Sequence, residues 1–336
     1  AQVKEEVELM SVLARLAGYE EYGFDYARGY TADIDSVLGK FRSHEAVEMM
    51  KLFSEKYGLG YDRVMSIALQ IECRGDNIVK LDTGKKSISP IGQKETHEFL
   101  SALNDFYRTS RFNDFFNTHT DIYELGLQVF NDSVMAHFDQ EWYTRFYGTP
   151  PAEQFRIIIG FTNGPCNYGP SRKLTGQPKE VFAIMNYAVD DNERPIFYKK
   201  VVETVVHEFC HSFTKIKGDT EKALEKSGKA LQEYTYFSMR RQAYSTWRNI
   251  LEESLVRAAT ICYLIDHDYD EKDIRNAIIE QVDRNFFWMP ELVQTLRYYE
   301  SHRKKYPTFT SFYPEIIRFF DRYVTNMEKE MKKAMK

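Results

Sequence analysis

Apolar residues recur at three- and four-residue intervals through most of the first 150 positions, the spacing that lines one face of a helix. The stretch EEVELMSVLARLAGY (5–19) carries the pattern, and HEAVEMMKLFSEKYG (44–58) repeats it with Gly58 placed as a stop signal. YDRVMSIALQIE (61–72), HEFLSALNDFYRTS (97–110) and the aromatic-rich run from Phe112 to Phe146 read the same way. Between them DNIVKLDTGKKSISPIGQ (76–93) loses the period and predicts a turn-rich connection with a short strand.

Near Pro150 and Pro151 the pattern changes. FRIIIGF (155–161) is a β-branched run that predicts a strand, TNGPCNYGPSRKLTGQPK (162–179) is rich in Gly, Pro and Asn, and EVFAIMNYAV (180–189) predicts a second strand. That second strand is either the edge of a cleft, where a peptide could add to it through main-chain hydrogen bonds, or a covered inner strand. Helical spacing returns over RPIFYKKVVETVVHEFCHSFTKI (194–216) and continues to the lysine-rich end. A few strands among many helices is an α+β arrangement, predominantly helical. The two prolines read as a turn inside a single domain over 1–336. Within it, residues 1–150 are mainly helical, and residues 151–336 hold the strands, the HExxH helix and a glutamate-bearing helix.

Composition narrows the picture. The 336 residues are 43% hydrophobic and 28% charged, enough for a sizeable core. The 45 basic and 50 acidic residues give a net charge of −5 with no block of one sign, which argues against a nucleic-acid partner. No apolar run approaches the roughly 18 residues that span a bilayer. The opening AQVKEEVELM fits a mature chain after signal removal, so a secreted or periplasmic protein is the expectation. Cys73, Cys166, Cys210 and Cys262 are too scattered for a zinc ribbon or a disulfide scaffold.

The chemistry gathers in VVETVVHEFCHSF (201–213). His207 and His211, four apart on a helix, present two imidazoles to one ion. Zinc takes imidazole nitrogen readily and needs a third protein ligand with a position left for water. Glu208, about 100° around the helix from His207, stands beside such an ion and can take a proton from water. Placing these polar groups on a helix that carries Val201, Val202, Val205 and Val206 is costly unless they are paired or ligated. Cys210 turns away from the two-histidine face and reads as a packed thiol. A continuation with Gly at 214 and His at 217 would make a metzincin, and Thr214 and Lys217 exclude it. A glutamate on a second helix is the alternative, and WRNILEESLVRAATICYL (247–264) offers two. Glu252 and Glu253 point about 100° apart, so only one can face the ion, and periodicity does not choose between them. Glu233 is a third possibility.

The chain resembles the DUF4932 family of bacterial zincin-like proteins. HEAVEMMKLFSEKYGLGYDRVMSIALQIE, NYGPS, HEFCHSF, QAYSTWRNILEESLVRA and YYESHRKKYPTFTSFYPEI carry the likeness in order along nearly the whole chain. The resemblance implies a gluzincin-like fold, with a zincin-like core built on a small mixed sheet and an HExxH helix. It also implies hydrolytic activity. Gluzincins commonly place the ligand glutamate before a small residue, and Glu253 stands before Ser254, so the likeness favours His207, His211 and Glu253 as zinc ligands. Glu252 departs from the family, which tends to have Asn there. The activity expected is zinc-dependent cleavage of peptide bonds with Glu208 as general base. Candidate donors to the oxyanion are Tyr244 and Tyr313, and candidate substrate contacts are Asn167 and Tyr168. Arg257, one turn after Glu253, is expected either to support a ligand carboxylate or to form a simple i,i+4 ion pair. A non-catalytic protein stabilised by zinc, or a hydrolase of some non-peptide amide, are the alternatives.

Overall fold

The computed structural model describes residues 1–198, 200–242 and 244–334. They form two compact units, one of Ala1–Phe138 and Ala152–Phe209, the other of Asp139–Pro151 and Cys210–Lys336. The first unit opens with α1 (Glu5–Leu16), α2 (Arg28–Asp33), α3 (Glu45–Tyr57) and α4 (Asp62–Ala68). A hairpin of β1 (Ile71–Arg74) and β2 (Asn77–Lys80) comes next, then α5 (Gln93–Thr109), α6 (Phe112–Thr118) and α7 (Thr120–Ser133). After α8 (Trp142–Tyr147) in the second unit, the first resumes with β3 (Gln154–Gly160), β4 (Ser171–Lys173), β5 (Lys179–Asn186) and α9 (Lys200–Cys210). The second unit continues with α10 (Asp219–Tyr234), α11 (Tyr236–Arg241), α12 (Trp247–Asp266), α13 (Glu271–Asp283), α14 (Met289–Ser301) and α15 (Phe309–Ala334). The α+β, predominantly helical class is thus observed.

Two predicted helices are shorter than their apolar spacing suggests. The one expected over 61–72 ends at Ala68, and Ile71–Arg74 pairs antiparallel with Asn77–Lys80 instead. Gly75, at φ 54°, takes the left-handed conformation that the tight turn between them requires. The Asn104 side chain holds this hairpin to α5, accepting from Ile78 N at 2.8 Å and donating to Ile78 O at 2.9 Å. The run from Phe112 to Phe146 breaks into α6, α7 and α8. Asp139 starts α8 by accepting from the N–H groups of Glu141 and Trp142.

Helix α1 is the centre of the first unit and is buried on every side, not along one stripe. Glu8 and Ser11 go into the core with Val7, Leu9, Met10, Val12 and Leu13. Ser11 satisfies itself by donating back to Val7 O at 2.8 Å. Glu8 Oε1 accepts from Phe161 N at 2.9 Å, tying α1 to the end of β3. Burial pushes the Glu8 carboxyl up to about 7.

The three-stranded sheet runs β3-β5-β4, with β5 parallel to β3 and antiparallel to β4. The second predicted strand, β5, is therefore central, the inner of the two placements open to it. It pairs with β3 on one side and β4 on the other, and its residues Val181–Met185 are buried on both faces. Gln2 pairs alongside Ile158 and covers the outer side of β3. The edge lies at the other end, in β4 and the residues just before it. Tyr168 exchanges both main-chain bonds with Ile184, at 3.0 and 2.8 Å, and Pro170 O accepts from Phe182 N. By the alternation of an antiparallel ladder, the main-chain groups of Gly169 and Ser171 face away from β5. Both residues are exposed.

Candidate metal centre

Helix α9 is oriented by what it buries. Val202, Val205, Val206, Phe209 and Cys210 are inaccessible, and the Phe209 ring stacks on Phe155 of β3 with centroids 4.2 Å apart. Burying one such ring contributes roughly 2 kcal/mol. That packing leaves His207 and Glu208 half-buried on the remaining side. His211 is the first residue past the helix, in the turn 211–213. One ligand atom each from His207, His211 and Glu253 all lie within 4.8 Å of one another. Among the described residues this is the one group of three or more His, Cys, Asp or Glu side chains so placed. Two imidazoles and a carboxylate are a donor set that zinc accepts.

Glu253 comes from α12 and is almost wholly buried, at 6% exposure. Its two oxygens have different tasks. Oε1 accepts from the Tyr244 hydroxyl at 3.0 Å, and Arg257 Nη2 lies 2.7 Å from the same atom. Oε2 is turned to His211, 3.6 Å from Nε2. Arg257 also donates to the Tyr244 oxygen at 2.9 Å and to Gln281, and its guanidinium lies over the Phe286 ring at 5.0 Å. The i,i+4 ion pair and the support of the carboxylate are therefore one and the same contact. Burial, followed by the charge of Glu253, pushes the Tyr244 phenol up to about 12, so it remains a donor at neutral pH.

Glu252 faces another way. Its Oε1 accepts from Ile216 N at 2.8 Å and its Oε2 from Lys215 Nζ at 3.1 Å. Glu233 is exposed on α10 and does not belong to the three-residue group. Ser254, after Glu253, is fully buried and accepts from the Trp288 indole N–H at 2.9 Å.

Glu208 meets the sheet edge. A Cβ built on Gly169 would stand 2.0 Å from Glu208 Oε2 and 3.0 Å from its Cδ, so the carboxylate occupies the place of a side chain at 169. Here close approach of the carboxylate, and not backbone conformation, favours a glycine. Sequence reasoning does not single Gly169 out, because a glycine between Tyr168 and Pro170 reads as turn chemistry. It also misses Gln281 and Phe286, which hold Arg257. Nothing in their own segments marks them.

Of the other residues proposed from the sequence, Tyr168 is 5% exposed with its ring stacked on Tyr22, and Asn167 Oδ1 accepts from Asn186 N at 2.9 Å. Both side chains are thus engaged inside the first unit, and the exposed residues of that segment are Gly169 and Ser171. Tyr313 is 8% exposed, and its hydroxyl has no hydrogen-bond partner among the described residues. Cys210 is the packed thiol expected, pushed up to about 12 by burial, and all four cysteines are free. No helix among the described residues is long and apolar enough to cross a membrane.

The family model described as "Domain of unknown function (DUF4932)" matches residues 1–319. No curated protein and no solved structure matches the chain.

Proposed function

The chain belongs to the DUF4932 family, and we propose that it is a zinc-dependent peptidase of the gluzincin type with a zincin-like core. The observation that carries the reading is the grouping of His207, His211 and Glu253 with Glu208 next in sequence to the first of them. The residues fit the metal. Two neutral imidazoles and one carboxylate leave a net single negative charge for a divalent cation, and the oxygen of Glu253 not held by Tyr244 and Arg257 is the one turned to His211.

His207, His211 and Glu253 would hold the zinc ion, which would supply a Lewis acid that lowers the pKa of water towards neutrality. The chain's own contribution is proton traffic and positioning. Glu208 takes the proton as water adds to the carbonyl carbon, and returns it to the nitrogen as the carbon–nitrogen bond breaks. A purely structural zinc site has no use for such a base and is usually closed by four protein ligands.

A peptide is favoured over other amides by the edge at Gly169 and Ser171. An extended chain adding there would use their outward main-chain groups. It would also run past the carboxylate of Glu208, which lies against Gly169.

Metal analysis of wild type beside H211A and E208Q, with cleavage of a peptide library on the same samples, tests the reading. One zinc per chain, lost in H211A and kept in E208Q, with cleavage abolished in both, is the expected result. A wild-type chain without zinc under zinc-replete conditions overturns it.

A further inference from the structure

Adjacent glutamates on α12 divide between them the two things a ligand at the end of a helix needs. The last intrahelical residue of α9 is Cys210, so His211 stands just outside the regular hydrogen-bonded ladder. A short turn and then residues without regular structure connect it to the start of α10. The imidazole thus sits where α9 ends and this connection begins. Phe213 N and Thr214 Oγ1 tie the connection back to Cys210 O, at 3.0 and 3.4 Å, and two further contacts hold it to other elements of the second unit. The Phe213 ring stacks on Tyr147 with centroids 4.1 Å apart and planes 3° from parallel. Three residues on, the buried Ile216 gives its N–H to Glu252 Oε1 at 2.8 Å.

We propose that Glu252 is a positioning residue for the metal centre: it fastens the segment after His211 to the helix that supplies Glu253, and so fixes the distance between two ligands. The inference rests on the metal-site reading above. Its physical basis is that a buried N–H without an acceptor is costly, so the Ile216 amide makes the segment move with the carboxylate. The carboxylate itself belongs to α12, one residue from Glu253. Any shift of the segment relative to α12 breaks this bond and changes the approach of His211 to Glu253. Lys215, whose Nζ lies 3.1 Å from Glu252 Oε2, balances the charge but is exposed and adds little. The acceptor matters here more than the charge, which distinguishes Glu252 from a simple surface ion pair.

The test uses the full chain and two variants, E252A and E252Q. Glutamine keeps an oxygen for the Ile216 N–H, whereas alanine removes it. Zinc affinity is read by competition with a chromophoric chelator, and amide exchange of residues 211–217 is read on the metal-free protein. The expected result is that E252A binds zinc about tenfold or more weakly and exchanges faster over 211–217. E252Q stays within about threefold of wild type in affinity and keeps wild-type protection. Wild-type zinc affinity in E252A overturns the positioning role alone. Equal weakening in both variants overturns it as well, because charge and not the amide bond would then be responsible. A wild-type chain that holds no zinc overturns the metal reading, and this role with it.

Discussion

Tyr244 donates its hydroxyl to the oxygen of Glu253 that does not face His211. Among residues considered for stabilising an oxyanion, it is thus one already committed to a carboxylate and to Arg257. Y244F is expected to weaken zinc about tenfold and to leave kcat at saturating zinc within about threefold. Chelator competition and kinetics at saturating metal check both. A loss of about 100-fold in kcat with zinc saturated would instead give Tyr244 a direct role in the reaction.

Gly169→Ala puts a methyl group where the Glu208 carboxylate lies. The carboxylate has to move, and if Glu208 is the general base proposed above its displacement forfeits on the order of 10²-fold in rate. On the same proposal zinc content should not change, since Glu208 is not among the three proposed ligands. Measuring kcat and metal content together on G169A separates this outcome from general damage to the site.

The Trp288 indole N–H and Ser254 Oγ meet inside the second unit, with Ser254 fully buried and Trp288 1% exposed. S254A leaves that N–H without its acceptor at a cost of about 1–3 kcal/mol. Urea unfolding should show the midpoint falling with no change in slope. The small residue after Glu253 is therefore small and polar for a reason of packing.

Glu8 makes stability depend on pH. Its carboxyl is raised by burial to about 7 in the folded chain, from 4.5 when exposed. Between these values the folded state binds more protons than the unfolded one, so the contribution is fully present below 4.5 and is lost as pH rises through 7. From pH 5 to pH 8 the loss is about 2 to 3 kcal/mol. Denaturant curves of wild type and E8Q at both values check it, because the difference between the two proteins isolates this group. A wild-type chain as stable relative to E8Q at pH 8 as at pH 5 would contradict the assignment.

Much of the fold and the site is legible in the sequence, in places where one physical signal dominates. The valine-rich helix that carries His207 and ends one residue before His211 is legible from its spacing, and FRIIIGF and EVFAIMN are strands by composition alone. Strand β4 is hidden because Ser171–Lys173 is polar and sits in a Gly/Pro-rich loop. Its existence depends on pairing with β5 and on nothing local, and so the sequence leaves open whether β5 is an edge or an inner strand. Periodicity cannot separate Glu252 from Glu253. Their side chains are 12% and 8% exposed, both against protein, so α12 has no clean polar face at that point. Glu8 escapes for a related reason: an apolar stripe on α1 implies a solvent-facing side, and the helix has none.

The outward main chain at Gly169 and Ser171 has one more implication, for the behaviour of the protein in concentrated solution. Unpaired strand edges invite copies of a protein to join sheet to sheet. Here the named strand is only three residues long and ends at the exposed Lys173, beside which Thr175 N bonds to Asp82 O. That length is enough to hold a short extended chain in register and too little to nucleate a continuous intermolecular sheet. The brevity of β4 thus limits how far another copy could extend the sheet at this edge.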